Sequence, residues 1–587
     1  MCGIVGYKGK RFPKEFLIDG LKNLEYRGYD SSGIALKKGR DIQIIRSIGK
    51  ISNLEEKINN EKLIDCNLGI AHTRWATHGG PSILNAHPHR VGKVTLVHNG
   101  IIENAAELRT SLASEGVIFK SDTDTEVACA LINKYYKGDA VEAINAAVKE
   151  MIGSYAFCIL FEDSDKLYAI RKDSPLIVGF GDDESYVASD IAAIISYTNQ
   201  YVLLEENEIV EIDDDVMITK NGVNVDKEIL VADITADSKD KCGYDHYMLK
   251  EIMEEPVVLE KTLKPYLEDL SSLPNLMDYE EIHIVACGSA MYAGLIGKTL
   301  LEENADIRVV CEVASEYRYK KIMYDRKTLV ILISQSGETA DTIAAMRKAK
   351  LAGIDTLAIV NVVGSTIARE SNKQIFIEAG PEIAVATTKA YMLQVAILAL
   401  LSYKAALSCG LKDDGIVNEI KVLPRMIKEI LDKREIYLEI AKEIYEHNDV
   451  FFIGRKVDYA IAMEGSLKLK EVSYIHSEAY QAGELKHGTI SLIDNDMPVI
   501  SIITDNKIRE KTISNVQEVK ARGAKCIVIS NEEILGYDFS IVVPKISEFL
   551  QPLLVVPCLQ LVAYEVAKLR NCDIDKPKNL AKSVTVE

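Results

Sequence analysis

Short, wholly apolar segments followed by a loop and a helix recur from residue 282 onward, and this pattern constrains the fold most strongly. Segments that are hydrophobic along their whole length are typical of parallel strands covered on both faces. The pattern is itself repeated. HIVACG at residues 283–288 resembles VFFIG at 450–454. The segment 352–361, which starts with AG and ends with IVN, resembles the segment 522–531, which starts with RG and ends with VISN. We predict two related α/β domains in tandem; the alternative is that such units resemble one another through composition alone.

The first 230 residues alternate short strands with helices, which predicts a mixed α/β region. Residues 227–278 are polar and helix-prone, and we predict that they link the two halves. The clearest elements of the first region are strands at 41–47, 94–98, 155–161 and 209–212 and a helix at 103–115.

Composition and charge exclude several classes of function. Hydrophobic residues make up 48% and charged residues 27% of the 587, so long disorder is not expected. Asp and Glu number 88 against 69 Lys and Arg, giving a net charge of −19 with no basic stripe. We therefore expect neither nucleic acid nor an anionic membrane as a partner.

Cysteine usage and hydropathy predict a cytoplasmic location. The eleven cysteines include no C-x-x-C pair, so neither a zinc site nor a disulfide framework is expected. The N-terminus has no basic segment followed by an apolar one, and no run of about 18 uninterrupted apolar residues occurs. The most apolar stretch, residues 390–407, contains Gln394, Ser402 and Lys404 and predicts a buried core helix.

The second residue of the chain is a cysteine, within the sequence MCGIVG. Removal of Met1 would leave Cys2 with a free α-amine, whose ordinary pKa of about 7.7–8.0 lets it accept the thiol proton near neutral pH. A cysteine at this position is usually incidental, so further motifs must support a catalytic interpretation.

Four further motifs support it: YRGYDSSG at residues 26–33, AHTRWATHG at 71–79, HNGIIEN at 98–104 and SDTDTE at 121–126. Together with the Cys-Gly-Ile start, they resemble the class II glutamine amidotransferases. This resemblance covers roughly residues 2–230 and implies a four-layer αββα N-terminal-nucleophile hydrolase domain.

The resemblance also implies a role for each matching residue. Cys2 would attack the glutamine side-chain amide, forming a thioester and releasing ammonia, while Asn99 and the backbone amide of Gly100 would form the oxyanion hole. The residues implied in glutamine binding are Arg74 at the α-carboxylate and Asp124, with Thr77 and His78, at the α-amine.

Two further features of this region, the single tryptophan and a group of histidines, can each be interpreted in two ways. In the glucosamine-forming members of the family, the matching Trp gates an ammonia passage, whereas a lone Trp is ordinarily a core residue. Five histidines at 72, 78, 87, 89 and 98 suggest a metal site, but their spacings match none of the usual zinc patterns, and we expect no metal.

A hydroxyl-rich loop follows the apolar segment LVILI, in the sequence SQSGET at residues 334–339. Hydroxyl donors at the start of a helix predict a phosphate site, although N-capping is the common role of such residues. The loop resembles the phosphosugar-binding motif of sugar isomerase (SIS) domains, which are flavodoxin-like αβα sandwiches, and VACGSA at 285–290 and IAVATTK at 383–389 resemble its companion loops.

This second resemblance implies a set of sugar-phosphate-binding residues: Ser289, Ser334, Gln335, Ser336, Thr339, Val385 and Thr387. Two positions depart from the family pattern. Ala290 stands where a Ser is frequent, so one hydroxyl contact is missing, and Thr387 also replaces a frequent Ser.

The C-terminal part carries three more motifs: EGSLKLKE at 464–471, SEAYQAGELKHG at 477–488 and NLAKSVTVE at 579–587. The first, taken alone, is typical of a solvated charged helix face. The others resemble signatures of the isomerising glutamine–fructose-6-phosphate aminotransferases. That family implies Glu471 as the proton shuttle between C1 and C2, His487 in ring opening and Lys582 as a Schiff-base amine.

The resemblance therefore extends over the whole chain. It implies an amidotransferase domain at 2–230, a linker at 231–275, SIS domains at 276–415 and 440–577, and a catalytic tail at 578–587. The expected reaction is the amination and isomerisation of fructose 6-phosphate with glutamine, the first step of amino-sugar synthesis, in at least a homodimer and without a cofactor. An amidotransferase acting on phosphoribosyl pyrophosphate and a phosphosugar sensor are the alternatives.

Overall fold

The computed structural model describes residues 2–25, 28–76, 78–232, 240–324, 326–412 and 415–585. Met1, whose removal is expected, lies outside these ranges, as do the last two residues of the predicted catalytic tail, Val586 and Glu587. The chain divides into two compact units, Met1–Lys239 with Ser583–Glu587, and Asp240–Lys582. We call them the N-terminal unit and the C-terminal unit.

The N-terminal unit contains two antiparallel sheets. Its strands are β1 (Gly3–Lys8), β2 (Ser31–Lys38), β3 (Asp41–Ile48), β4 (Leu68–Arg74), β5 (His89–Val91), β6 (Val94–Ile102), β7 (Gly153–Phe161), β8 (Leu167–Lys172), β9 (Ile177–Gly181), β10 (Glu184–Ala188), β11 (Gln200–Leu203), β12 (Ile209–Ile212), β13 (Val216–Lys220), β14 (Val223–Asn224) and β15 (Leu230–Val231). The sheet orders are β15-β11-β9-β10-β1-β4-β2-β3 and β14-β13-β12-β8-β7-β6-β5.

Helices cover the outer face of each sheet, so this unit has four layers. One apolar core lies between the sheets and includes Ile4, Ile70, Val97 and Ala156. Two further cores lie beneath the helices on either side. The helices are α1 (Lys14–Leu24), α2 (Ile51–Asn59), α3 (Ala105–Ser114), α4 (Asp124–Tyr135) and α5 (Ala140–Val148).

The C-terminal unit contains two parallel five-stranded sheets. The first is built from β16 (Glu281–Ala286), β17 (Arg308–Val313), β18 (Thr328–Ser334), β19 (Asp355–Val360) and β20 (Lys373–Phe376), in the order β17-β16-β18-β19-β20. The second repeats this order, β22-β21-β23-β24-β25, with β21 (Asp449–Gly454), β22 (His476–Gln481), β23 (Pro498–Ile503), β24 (Lys525–Ser530) and β25 (Phe539–Val542). Both match the flavodoxin-like order 2-1-3-4-5.

Helices pack on both faces of these sheets. One apolar core is shared by the two sheets, and a smaller core lies on the other face of each sheet. The helices are α6 (Tyr247–Glu268), α7 (Gly288–Ala305), α8 (Ala314–Tyr317), α9 (Ala340–Leu351), α10 (Thr366–Glu370), α11 (Lys389–Ser408), α12 (Ile416–Leu431), α13 (Arg434–Ile444), α14 (Val457–Ser473), α15 (Arg509–Lys520) and α16 (Gln551–Leu569). By length and composition, α11 and α16 could each cross a membrane, but 89% of the apolar stretch of each is buried within the protein. The expected core helix at 390–407 is thus confirmed as α11.

Candidate active sites

Cys2 lies just before β1, on the side of the sheet where β4 ends. Its Sγ accepts a hydrogen bond from the backbone N–H of Trp75 at 3.3 Å. Burial raises the pKa of the Cys2 thiol above its ordinary value. A base must therefore take the thiol proton before this sulfur can act as a nucleophile.

Asn99 lies on β6 beside Cys2, and its Nδ2 donates to the Cys2 carbonyl oxygen at 3.0 Å. The neighbouring Gly100 has φ of +131°, and a Cβ there would lie 2.2 Å from the carbonyl oxygen of Ser154. Only glycine fits this position. The structure thus places the amide of Asn99 against the residue that carries the thiol, with Gly100 next to it.

Two oppositely charged side chains also belong to this site. Arg74 ends β4, is buried, and donates to the carbonyl oxygens of His78 and Gly79, the latter at 2.9 Å. Burial lowers the pKa of Arg74, while the charges of Cys2 and Asp124 oppose that shift. Asp124 is buried at the start of α4 and accepts from the N–H of Ile102 at 2.9 Å. A guanidinium and a carboxylate held in this way can match the two charged ends of a free amino acid.

The other predicted residues of this site differ in placement. Trp75 is half-buried, and its ring lies edge-on to that of Tyr29 with centroids 6.0 Å apart. The side chain of His78 is exposed. Thr77 lies outside the described residues, as do Tyr26 and Arg27 of the first motif.

In the C-terminal unit, the loop after β18 forms a hydroxyl cradle. Ser334 Oγ accepts from the N–H of Gly337 at 3.0 Å and is 2.9 Å from Thr339 Oγ1. Ser336 Oγ accepts from the N–H of Glu338 at 3.2 Å. Gly337 has φ of +67°, and a Cβ there would lie 2.0 Å from Ser365 Oγ, so the tight turn requires glycine. The cradle immediately precedes α9, where an anion is favoured.

A buried charged cluster on α14 faces the N-terminal end of α7. Ser289 Oγ donates to Glu464 at 3.0 Å, and Lys468 Nζ contacts both Glu464, at 3.5 Å, and Glu471. Glu464 and Lys468 are 1% and 0% exposed, respectively. Burial raises the pKa of Glu464 to about 7, even though Lys468 opposes the shift. A carboxyl group near this pKa can both give and take a proton at neutral pH.

Glu382 joins the tail lysine to the loop before α11. Lys582 Nζ donates to Glu382, whose side chain is fully buried. Glu382 also accepts from Thr387 Oγ1 at 2.7 Å and from the N–H of Thr388 and of Ala390. These contacts place Thr387, a predicted sugar-binding residue, and Lys582, the predicted Schiff-base amine, on the same carboxylate.

This group is electrostatically connected to the α14 cluster. Burial lowers the pKa of Lys468, but the negative charges of Glu464, Glu471 and, more weakly, Glu382 raise it by more, so the ammonium is retained. Lys468 is therefore connected electrostatically both to Glu471, which it contacts, and to Glu382, which holds Lys582.

Three predicted residues take a lesser part in these contacts. Val385 is buried, and its N–H donates to the carbonyl oxygen of Asp575 at 3.0 Å. The carbonyl of Gln335 accepts from the N–H of Asn361 at 3.1 Å. His487 ends a short 3₁₀ helix, Leu485–His487, and is exposed. Within the described ranges, no hydrogen bond or ion pair joins its ring to Glu471 or Lys582.

Sequence reasoning did not identify Glu382, Glu464 or Lys468 as site residues. The i, i+4 spacing of Glu464 and Lys468 is the same on a buried and on a solvated helix face, so spacing could not reveal their burial. Glu382 lies within two residues of the IAVATTK motif, and that proximity was the one available signal.

Comparisons with known proteins agree with this architecture. The glutamine amidotransferase domain family matches residues 84–196, and the SIS domain family matches residues 275–403 and 443–567. The predicted fold class, an αββα amidotransferase domain followed by two flavodoxin-like SIS sandwiches, is confirmed.

Relatives match over the full length of the chain. The glutamine–fructose-6-phosphate aminotransferase [isomerizing] of Clostridium tetani is 47% identical and that of Thermus thermophilus 45% identical, with 100% of both chains covered in each case. Among solved structures, the C-terminal domain of the Francisella tularensis enzyme is 36% identical, with a TM-score of 0.55, 58% of this chain covered and 99% of that chain. The chain belongs to the family of isomerizing glutamine–fructose-6-phosphate aminotransferases.

Proposed function

We propose that this protein converts glutamine and fructose 6-phosphate into glutamate and glucosamine 6-phosphate. Water hydrolyses the glutamine amide at Cys2, the released ammonia replaces the C2 oxygen of the sugar, and the ketose is isomerised to the aldose. No metal or organic cofactor enters this scheme.

In the N-terminal unit, Cys2 is the nucleophile and its own α-amine is the base once Met1 is removed. The raised pKa of the Cys2 thiol makes this base necessary. Asn99 and Gly100 stabilise the oxyanion, a contribution of about 3–4 kcal/mol for one such donor. Arg74 holds the α-carboxylate of glutamine, and the α-amine is bound by Asp124 together with Thr77 and His78.

In the C-terminal unit, the hydroxyl cradle holds the phosphate. Lys582 forms an imine with the C2 carbonyl, with loss of water, and ammonia then displaces the lysine amine to leave the imine of the sugar. Ser289, Gln335, Val385 and Thr387 complete the sugar site. Glu471 moves the proton between C2 and C1, and His487 assists ring opening. Lys468 contacts Glu471, and this nearby ammonium favours the ionised carboxylate, which is the form that accepts the proton from carbon.

Four further parts of the proposal concern organisation. Ammonia passes internally, with Trp75 as the gate, because an enclosed path keeps it from water and protonation. The protein acts as a homodimer in the cytoplasm. Its domains are residues 2–230, 276–415 and 440–577, with a linker at 231–275 and a catalytic tail at 578–587.

The observation that carries the proposal is the buried Glu464–Lys468 pair with Glu471 in contact with it. A protein that only senses a phosphosugar needs the hydroxyl cradle but no proton-transfer group. Burying the charges of Glu464 and Lys468 is costly unless they are paired, and this pair holds the half-buried carboxylate of Glu471 beside it. That arrangement favours catalysis over sensing. Nothing in the described residues favours a second function.

The test supplies glutamine labelled with nitrogen-15 at the side-chain amide, together with fructose 6-phosphate and unlabelled ammonium. Labelled glucosamine 6-phosphate is expected from the wild-type protein and not from Cys2→Ala, which shows by mass spectrometry that the nitrogen is transferred internally. Glutamate release without an amino sugar would contradict the proposed role of the C-terminal unit. Unlabelled product would contradict internal transfer.

A further inference from the structure

His72 lies directly behind Asn99 and has no part in the reaction as proposed above. It is fully buried on β4, in register with Ile4 of β1. Its Nε2 lies 2.9 Å from the carbonyl oxygen of His98 and 3.1 Å from Oδ1 of Asn99. We infer that His72 is a positioning residue for glutamine hydrolysis, whose ring N–H fixes the Asn99 amide with its NH₂ group toward Cys2.

The hydrogen-bond partners determine which nitrogen of His72 carries the proton. A backbone carbonyl only accepts, so the Nε2 that contacts His98 must be an N–H donor. The same N–H then faces the oxygen of the Asn99 amide rather than its nitrogen. The two ends of an amide are alike in shape, so only their hydrogen-bond partners distinguish them. At Asn99 these are the His72 donor at Oδ1 and the Cys2 carbonyl oxygen at Nδ2.

The surroundings of His72 keep its ring neutral and, within the described ranges, offer a hydrogen-bond acceptor only at Nε2. Burial lowers the pKa of His72 to about 3, so the ring is neutral at any working pH. Its Nδ1 has no hydrogen-bond partner among the described residues, and its ring packs on that of His87 with centroids 4.1 Å apart. His87 is also kept neutral, because burial lowers its pKa well below the ordinary value.

The consequence for catalysis follows from the geometry of the amide. If Asn99 rotated by half a turn, its oxygen would face the developing oxyanion and repel it. A fixed amide therefore favours the tetrahedral state and has little effect on the bound substrate, whose charged ends lie at Arg74 and Asp124. The inference rests on the proposed role of Asn99 as an oxyanion donor.

The experiment compares two variants of His72 in the full-length protein, with glutamine hydrolysis as the readout. His72→Gln retains an N–H that reaches the Nε2 position, whereas His72→Met has similar bulk and no donor. We expect kcat of His72→Met to fall at least about tenfold with KM within twofold, and His72→Gln to stay within about threefold of wild type. His72→Phe, which keeps the ring stack on His87, serves if the Met variant does not fold.

Two further measurements separate positioning from a structural role. Alkylation of Cys2 by iodoacetamide, followed by peptide mass spectrometry, forms no oxyanion and should proceed at the wild-type rate in every variant. In an Asn99→Ala background, His72→Met should cause little further loss, because the two residues act as a unit. Slowed alkylation, an additive loss in the double variant or an unchanged kcat in His72→Met would overturn the inference.

The failure of this inference is distinguishable from that of the proposed function. If the wild-type protein hydrolyses no glutamine, or if Cys2→Ala still does, the proposed chemistry is wrong whatever His72 does. If the wild type is active, depends on Cys2 and is insensitive to His72→Met, only the positioning role is wrong.

Discussion

The two SIS domains have the same strand order, yet the loop that follows the corresponding strand differs between them. After β18, in the first domain, Ser334, Ser336 and Thr339 form the hydroxyl cradle. After β23, in the second domain, the side chain of Asp458 on α14 accepts from the N–H of Thr504 at 2.8 Å, from the N–H of Asp505 at 3.2 Å and from the Thr504 hydroxyl. A carboxylate of the protein itself therefore occupies the donors that a phosphate would need.

This difference shows how a repeated fold can divide one task. The first domain keeps the hydroxyl cradle, and the second fills the corresponding loop with the side chain of Asp458, which is buried. The second domain instead buries Glu464 and Lys468 on α14, the same helix that carries Asp458. We expect the first domain to determine sugar affinity and the second to determine the rate of proton transfer.

Glu471→Gln should produce the largest effect, because it removes the proposed proton-transfer group from the second domain. General acid–base catalysis is worth about 10²–10⁴ in rate, so formation of glucosamine 6-phosphate should fall by at least about 10². Glutamine hydrolysis and the Kd for fructose 6-phosphate should change less than about threefold. Steady-state kinetics and calorimetry measure these quantities.

Glu533→Gln is the matched control, since Glu533 lies in the same domain and is exposed. It should leave all three quantities at their wild-type values. The opposite result is a Glu471→Gln variant whose rate at saturating sugar is preserved but whose Kd for fructose 6-phosphate is tenfold higher. That result would contradict the comparison, because it would show that the second domain contributes to binding rather than to proton transfer.

The next effect is on sugar affinity and separates the two loops. Ser336→Ala removes a hydroxyl from the cradle, and a hydrogen bond to a charged group contributes about 1.5–3 kcal/mol. The Kd for fructose 6-phosphate should rise at least about tenfold. Thr504→Val alters the corresponding loop of the second domain and should leave that Kd unchanged. Equal weakening in both variants would show that both loops bind phosphate.

Much of the fold was predictable because its signals are local and periodic. The strand predicted at 41–47 is β3 (Asp41–Ile48), and the helix predicted at 390–407 is α11 (Lys389–Ser408). Both elements are long enough for their hydropathy pattern to identify them without information on tertiary contacts. The polar segment after residue 227 was harder to interpret, since α6 contains Pro256 and Pro265, yet it buries an apolar face.

The predicted site residues came from motifs, and what the motifs could not supply was long-range contact. The bond from Lys582 to Glu382 joins positions 200 residues apart, and no local pattern encodes it. Likewise, Asp458 and Thr504 are 46 residues apart. The sequence places His72 and His98 in one group of histidines. Their roles depend on how β4 packs against β6 of the other sheet, which the spacing along the chain does not reveal.

A smaller effect is expected from Asp458→Ala, and it concerns stability rather than activity. The substitution leaves two backbone N–H groups and one hydroxyl without their buried acceptor, which costs about 1–3 kcal/mol. The thermal unfolding midpoint should fall, while the Kd for fructose 6-phosphate should stay within twofold of wild type. Asp505→Ala, which removes a side chain from the same loop but not the shared acceptor, is the control. A gain of phosphate affinity in Asp458→Ala would sharpen the comparison by showing that only this carboxylate excludes the anion.

The smallest effect is the pH dependence of that stability difference. Burial raises the pKa of Asp458 to about 6, above its ordinary value of 3.8. Between these values the folded state binds more protons at this group than the unfolded state does, so its contribution to stability is lost as pH rises through the window. The deficit of Asp458→Ala relative to wild type should therefore be larger at pH 5 than at pH 7, by about 1 kcal/mol. Thermal unfolding of both proteins at the two pH values measures this difference, and a deficit that grows toward pH 7 would mean that the loop stabilises the charged carboxylate, as an anion-binding loop does.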